Sequence, residues 1–159
     1  MLETHTARMA APYAVLGVHT RGEWLTGIDY LPVGAPTLAP LDAFAWEVCR
    51  QLSAYLDDPD FRFDLPYVAE GTDYQARVWE RVRSIPRGQT RSYMDIAREL
   101  RSGPRPVGTA CGANRIPLVI PCHRVVASRG IGGFMHSRGG HAIEIKRWLL
   151  RHEGVKGLQ

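Results

Sequence analysis

Pro117-Leu-Val-Ile-Pro-Cys-His-Arg-Val-Val126 is the stretch around which the rest of the chain is arranged. Its apolar run, Leu118, Val119 and Ile120, predicts a short buried extended segment. Pro121 cannot donate to a ladder and ends it. Cys122 comes next, followed by His123, Arg124 and two β-branched residues, Val125 and Val126. A thiol seated at the stiff end of a hydrophobic segment is held in one place, as a nucleophile must be. An arbitrary cysteine is more often a small buried hydrophobe, so the neighbourhood has to decide between the two.

Upstream of that stretch, Thr72-Asp73-Tyr74-Gln75 fits a capping box, and the spacing predicts a helix from there to about Ile85 that buries Val78, Trp79, Val82 and Ile85. Pro86-Arg87-Gly88 closes it. Ser92, with Asp95 three residues on, caps a second helix whose inner face carries Tyr93, Ile96, Ala97 and Leu100. Ser102-Gly103-Pro104 is a turn, and a third helix is expected over 105–113. Two short helices joined by a tight glycine-containing turn in a basic region suggest a helix-turn-helix. The third helix has two unlike faces: Val107, Ala110, Cys111 and Asn114 on one, Arg105, Gly108, Thr109 and Gly112 on the other. Each interior glycine costs about 1 kcal/mol relative to alanine. A face without bulk lets the helix backbone approach another backbone closely, which suits phosphate and sugar contact better than base reading. Tight packing against another helix of the same protein is the competing explanation.

The first half reads differently. Residues 1–11 look like a loose terminus. Residues 13–20 and 24–31 alternate like strands around an Arg21-Gly22-Glu23 turn, which predicts a hairpin. A Pro/Gly-rich loop over 32–40 leads to an amphipathic helix over 41–56, with Leu41, Phe44, Ala45, Val48, Leu52, Tyr55 and Leu56 at 3-4 spacing. Asp57-Asp58-Pro59 stops it, and 61–65 suits one further strand. His5 and His19 look incidental here. The expected class is α+β: a small N-terminal antiparallel sheet with a helix (1–66), then a mostly helical C-terminal domain containing the helix-turn-helix (67–159).

Charge separates the same two halves. Residues 1–66 hold four basic and nine acidic side chains, a net −5; the other 16 basic and seven acidic residues give 67–159 a net +9. Such asymmetry points the second half towards a polyanion. No apolar run approaches a membrane span of about 20 residues. The start of the sequence lacks the basic-then-apolar form of a signal peptide, so the expected location is cytoplasmic. Three widely spaced cysteines, Cys49, Cys111 and Cys122, form neither a disulfide framework nor a Cys/His pattern with zinc spacing. No metal is expected.

Beyond Val126, residues 127–140 make a loop with five glycines, and a last helix is expected over about 142–153. It should bury Ile145, Trp148 and Leu149, with Gly154 as its C-cap and Glu153 at its end. A thiol attacks as thiolate, and its usual pKa of about 8.5 leaves only a few per cent ionised at neutral pH. A histidine can take the proton and a carboxylate can orient that histidine. His123 and Glu153 are the candidates; whether they meet Cys122 in space is a question of fold.

Pro121-Cys-His-Arg-Val125 resembles the signature of the O6-alkylguanine-DNA alkyltransferases, direct-reversal DNA repair proteins. The resemblance extends over Gly71 to Gly154 through Ile85-Pro-Arg-Gly-Gln-Thr-Arg-Ser-Tyr93, Arg105-Pro-Val-Gly108, Asn114 and Trp148-Leu-Leu-Arg-His-Glu-Gly154. It implies that Cys122 accepts the alkyl group, that His123 activates it through a water, that Glu153 holds His123 and that Asn114 braces the turn. It implies that Arg105 inserts into the duplex, that Tyr93 helps rotate the nucleotide, and that Gly108, Thr109 and Gly112 lie in the minor groove of double-stranded DNA, with Arg124 also at the DNA. Val125, Val126, Phe134 and Lys146 would line the base pocket. The fold implied is a ribonuclease H-like first domain and a winged-helix-like second one. The implied reaction moves a methyl or larger alkyl group from O6-alkylguanine, and also from O4-alkylthymine, onto cysteine. It uses no cofactor, and a monomer acts once.

Two features depart from the family pattern. Phe134 stands where the family usually has a tyrosine, removing a phenolic hydroxyl from the base pocket. The loop also looks longer, through 135–141, where His136, Ser137 or Arg138 could replace the lost polar contact or simply face solvent. Three rival readings remain: a lesion-binding relative without alkyl transfer, which Cys122 argues against; a helix-turn-helix regulator with a structural Cys122; and a cysteine hydrolase, which would need an oxyanion hole and turnover.

Overall fold

The computed structural model describes residues 4–135 and 140–157. By its internal contacts the chain divides into two units, Met1–Ala69 and Glu70–Gln159.

In the first unit, β1 (Ala7–Ala10), β2 (Val15–Arg21) and β3 (Trp24–Leu31) form an antiparallel sheet in that order. Ala7 stands opposite Val18, and Val15 opposite Leu31. β1 was expected to be loose terminus. Ala-Arg-Met-Ala has little strand propensity of its own, and pairing along β2 supplies what local preference lacks. α1 (Ala43–Asp57) starts two residues later than its apolar spacing predicts, because the Asp42 carboxylate caps it by accepting from Ala45 N–H at 2.8 Å. Leu41 therefore lies outside the helix and is exposed. The strand expected over 61–65 does not form. The Gln51 side chain takes up both backbone groups of Asp64 (3.0 and 2.8 Å), and the contact with β3 falls later, at Leu25 and Tyr67.

The second unit begins with α2 (Asp73–Arg83), carrying the full Thr72/Gln75 capping box. β4 (Arg91–Ser92) leads into α3 (Tyr93–Leu100), capped reciprocally by Ser92 and Asp95 at 3.0 Å each. α4 (Pro104–Gly112) follows a short turn. Val78, Val82, Ile96, Ala97, Val107 and Ala110 close the core between these helices, each of the valines and isoleucine adding about 1.5–3 kcal/mol by burial. Trp79 pins α2 to α4 by donating from its indole N–H to Ala110 O at 2.9 Å.

The extended segment expected over Leu118–Ile120 is instead a tight turn. Leu118 has φ +76°, a left-handed conformation rare for a branched side chain. Asn114 supplies the reason: its amide donates to Ile120 O and its carbonyl accepts from Ile116 N–H, both at 2.9 Å. Ile120 N–H bonds back to Ile116 O at 3.0 Å. A single 3-10 turn, Cys122–Arg124, then runs into β5 (Val125–Val126), which pairs in parallel with β4. α5 (Gly140–His152) completes the unit. It buries Ile143, Ile145, Leu149 and Leu150, whereas Trp148 is only half-buried and stacks on His152 with ring centroids 4.8 Å apart. No helix among the described residues is long and apolar enough to cross a membrane.

Candidate active site

Cys122 is 5% exposed and His123 1%. Their position is set from two sides. The Asn114 turn fixes the chain ahead of Cys122, whose N–H donates to Ile120 O at 2.8 Å. The β4/β5 pairing fixes the chain behind Arg124 and ties it to the start of α3.

His123 Nε2 lies 2.8 Å from Glu153 Oε2, and Glu153 is fully buried at the end of α5. Burial lowers the His123 pKa more than Glu153 raises it, so at neutral pH the ring is neutral. The short contact then assigns its proton to Nε2, donating to Glu153 and leaving Nδ1 as an acceptor. Burial opposes the charge on Glu153, yet His123 and Arg124 together hold its carboxyl well below the usual range. With His123 neutral, the decisive partner is Arg124. Its Nε and Nη2 reach Oε1 and Oε2 at 2.9 and 3.0 Å, and Nη1 donates to Ile85 O at 2.7 Å. The guanidinium expected at the DNA is therefore turned inward, because a buried carboxylate needs a permanent cation that a neutral imidazole does not supply.

Contact with the Cys111 thiol, together with burial, pushes the Cys122 thiol well above its ordinary pKa, while Asn114 and Lys146 pull the other way. Cys122 thus rests as a protonated thiol and needs a base to become nucleophilic. The role of Cys111 was missed in the sequence. Its place on one helix face with Asn114, three residues on, was the available sign. Lys146 is fully buried and its pKa is lowered to about 8 by burial. Its Nζ donates to Val125 O and Gly133 O, each at 2.7 Å, and stands 5.8 Å from the centre of the Tyr93 ring. Tyr93 donates its hydroxyl to the same Gly133 O at 3.1 Å. Tyr93 and Lys146 thereby hold the middle of the glycine-rich loop at Gly133.

Cys122 opens onto a cavity of about 440 Å³ lined on one side by Arg105, Gly108, Thr109 and Gly112 of α4, and on the other by Gly133, Phe134 and Met135. Phe134 is a wall of this cavity, as expected. Val125, Val126 and Lys146 are not among the residues that line it: the valines are buried in the β5 pairing, and Lys146 is buried and bonded to Val125 O. His136, Ser137 and Arg138 lie outside the described residues. A Cβ built on Gly108 meets nothing nearer than the Tyr93 ring at 3.9 Å, an ordinary contact. The protein interior therefore does not require glycine there, which removes internal helix packing as its explanation.

A buried, protonated thiol that lines a cavity, next in sequence to a buried histidine paired with a carboxylate, is an arrangement suited to group transfer onto a cysteine. Residues 73–155 match the model of the 6-O-methylguanine DNA methyltransferase, DNA binding domain, family, and the chain belongs to that family. A methylated-DNA--protein-cysteine methyltransferase of Archaeoglobus fulgidus is 41% identical over 110 residues, 69% of this chain and 75% of that protein. One from Metallosphaera sedula is 33% identical over 145 residues, covering 91% and 89%. The crystal structure of Mycobacterium tuberculosis O6-methylguanine methyltransferase superposes with a TM-score of 0.76 at 33% identity, covering 92% of this chain and 90% of that one. The structure of the same organism's OGT in complex with DNA gives 0.72 at 36%, over the same shares.

Proposed function

We propose that this chain repairs O6-alkylguanine in duplex DNA, and O4-alkylthymine alongside it, by moving the alkyl group irreversibly onto the Cys122 sulfur. The observation that carries this is that the buried thiol lines the same cavity as the bare face of α4. An O6 substituent inside a base stack is out of reach of any such thiol, so the nucleotide must be flipped into the cavity. The bare face, with the exposed Arg105 at its start, suits the minor groove, Arg105 filling the place of the flipped nucleotide and Tyr93 acting on its phosphate. His123 takes the Cys122 proton, through a water, and the Glu153 carboxylate, itself held in place by Arg124, steadies the imidazolium that forms. The thiolate then attacks the alkyl carbon. The S–C bond forms as the C–O bond breaks, the bonding pair leaves with O6, and a proton returns to the base. The product thioether is stable and each molecule acts once. On this reading β1–β3 with α1 is a ribonuclease H-like unit, and α2–α4 with the β4/β5 pair is a winged-helix-like one.

The test is incubation with duplex DNA carrying O6-methylguanine or O4-methylthymine, followed by peptide mass mapping. One methyl group per molecule on the Cys122 peptide, absent from Cys122→Ala, is the expected result. A normally DNA-bound protein with unmodified Cys122 would sink the proposal.

A further inference from the structure

His5, His19 and Asp29, from outside the repair site, come together on one face of the first unit's sheet. In the β2/β3 register Gly17 stands opposite Asp29, and His19 lies two residues from Gly17, so His19 and Asp29 share a face. His5, just ahead of β1, lays its ring over Gly17: a Cβ there would sit 2.5 Å from His5 Nε2. Glycine at 17 is thus what admits the ring. Both histidine Nε2 atoms converge on a single oxygen, Asp29 Oδ2, at 2.8 Å from His5 and 2.6 Å from His19. The three donor atoms lie within 4.8 Å of one another. The imidazoles are almost buried (side chains 11% and 10% exposed) while the Asp29 side chain is 45% exposed, leaving an approach from solvent.

We propose that His5 Nε2, His19 Nε2 and the Asp29 carboxylate form a site for a divalent cation of the zinc class. Two imidazoles and one carboxylate are a donor set that zinc accepts, with a water completing the tetrahedron. The cation would clip β1, β2 and β3 together. For each ring to offer Nε2 its proton must sit on Nδ1. At His5 that nitrogen now accepts from Arg8 Nε at 3.1 Å. Arg8 must therefore swing away on loading; its other bond is a long one, 3.4 Å to Pro36 O. Both its charge and the direction of its hydrogen bond oppose the metal, so Arg8 sets the affinity. This assignment extends the first unit beyond anything the repair reaction requires.

The experiment uses the full chain without added histidines, stripped with a chelator. It is titrated with zinc in competition with a chromophoric chelator, and with cobalt followed by visible absorption. A parallel arm has its thiols blocked with N-ethylmaleimide, because cysteines also bind zinc. One equivalent in both arms is expected, with tetrahedral cobalt bands that lack sulfur charge transfer. Asp29→Asn and His19→Gln should lose saturable binding. Arg8→Gln, which offers an acceptor to His5 Nδ1–H, should bind about tenfold tighter, the lower end of the usual outer-shell effect. No uptake by the parent chain, uptake abolished by thiol blocking, or uptake retained in Asp29→Asn overturns the site. Should the ligand variants fail to fold, an unchanged affinity in Arg8→Gln overturns it.

Discussion

Arg124→Met tests whether this arginine belongs to the buried site or to the DNA surface. The substitution keeps the aliphatic stem and removes two bonds to Glu153 and one to Ile85 O. Glu153 is fully buried and Arg124 is 14% exposed, so solvent screens the pair little. Breaking such a pair from one side costs about 3–5 kcal/mol. For a chain of this length that lowers the melting midpoint by roughly 6–20 °C, at about 2–4 °C per kcal/mol. The pH dependence carries a sign. The folded-state pKa of Glu153 lies below its unfolded value. In the parent its contribution is therefore complete above about pH 4.3 and is lost as pH falls through the folded pKa. In Arg124→Met, burial acts on the carboxyl without the guanidinium to oppose it, and the folded pKa rises. The deficit relative to the parent should then shrink between pH 7 and pH 5, as protonation relieves the stranded charge. Urea unfolding at both pH values, followed by tryptophan fluorescence, measures this. DNA affinity against salt gives the second reading, because loss of one phosphate contact lowers the slope of log K against log salt by about 0.9. Stability within about 1 kcal/mol of the parent, combined with a fallen salt slope, would refute the inward assignment.

Gly108→Ala should separate the needs of the protein from those of DNA: the added methyl finds ordinary contact with Tyr93 and the helix gains up to about 1 kcal/mol, while duplex binding weakens. Calorimetry and a duplex-binding titration check it, and unchanged duplex affinity would remove the close-approach argument. Lys146→Met bears on alkaline stability. The Lys146 pKa falls from 10.5 to about 8 on folding, so between those values the unfolded chain holds more protons and the parent gains stability as pH rises, by up to roughly 3 kcal/mol. Urea unfolding at pH 7.5 and 9.5 should show the parent gaining stability relative to the variant, the Cys122 thiol being pushed up by Cys111 and burial in both; equal slopes would contradict the buried ammonium.

What could be read from the sequence follows from the range of the interaction concerned. The Thr72/Gln75 and Ser92/Asp95 boxes were legible because each closes within four residues. The Pro121-Cys-His stretch singled out Cys122 as the candidate nucleophile, but its lead-in was misjudged as a strand. Leu118 in a left-handed turn is not a local preference; the Asn114 side chain imposes it. The family resemblance implied a DNA contact for Arg124. Its true partner is 29 residues away and becomes visible only when α5 returns to the site. His5 and His19 looked incidental, and Asp29 drew no notice, for a similar reason. They belong to three segments of chain, and the antiparallel register brings them together.

The Asn114 turn has a consequence for how reactivity could be lost. The bond that seats the chain ahead of Cys122 spans six residues, whereas those linking His123 and Arg124 to Glu153 span 30 and 29. Closing a short loop costs less chain entropy than closing a long one. On the proposed mechanism, the seat of Cys122 is therefore a local structure, and the base that His123 would supply depends on a distant helix staying docked. A partial opening that releases α5 would strip His123 of its carboxylate while Cys122 kept its turn. The thiol would then be left protonated, so the failure mode of this fold is silence and not indiscriminate alkylation.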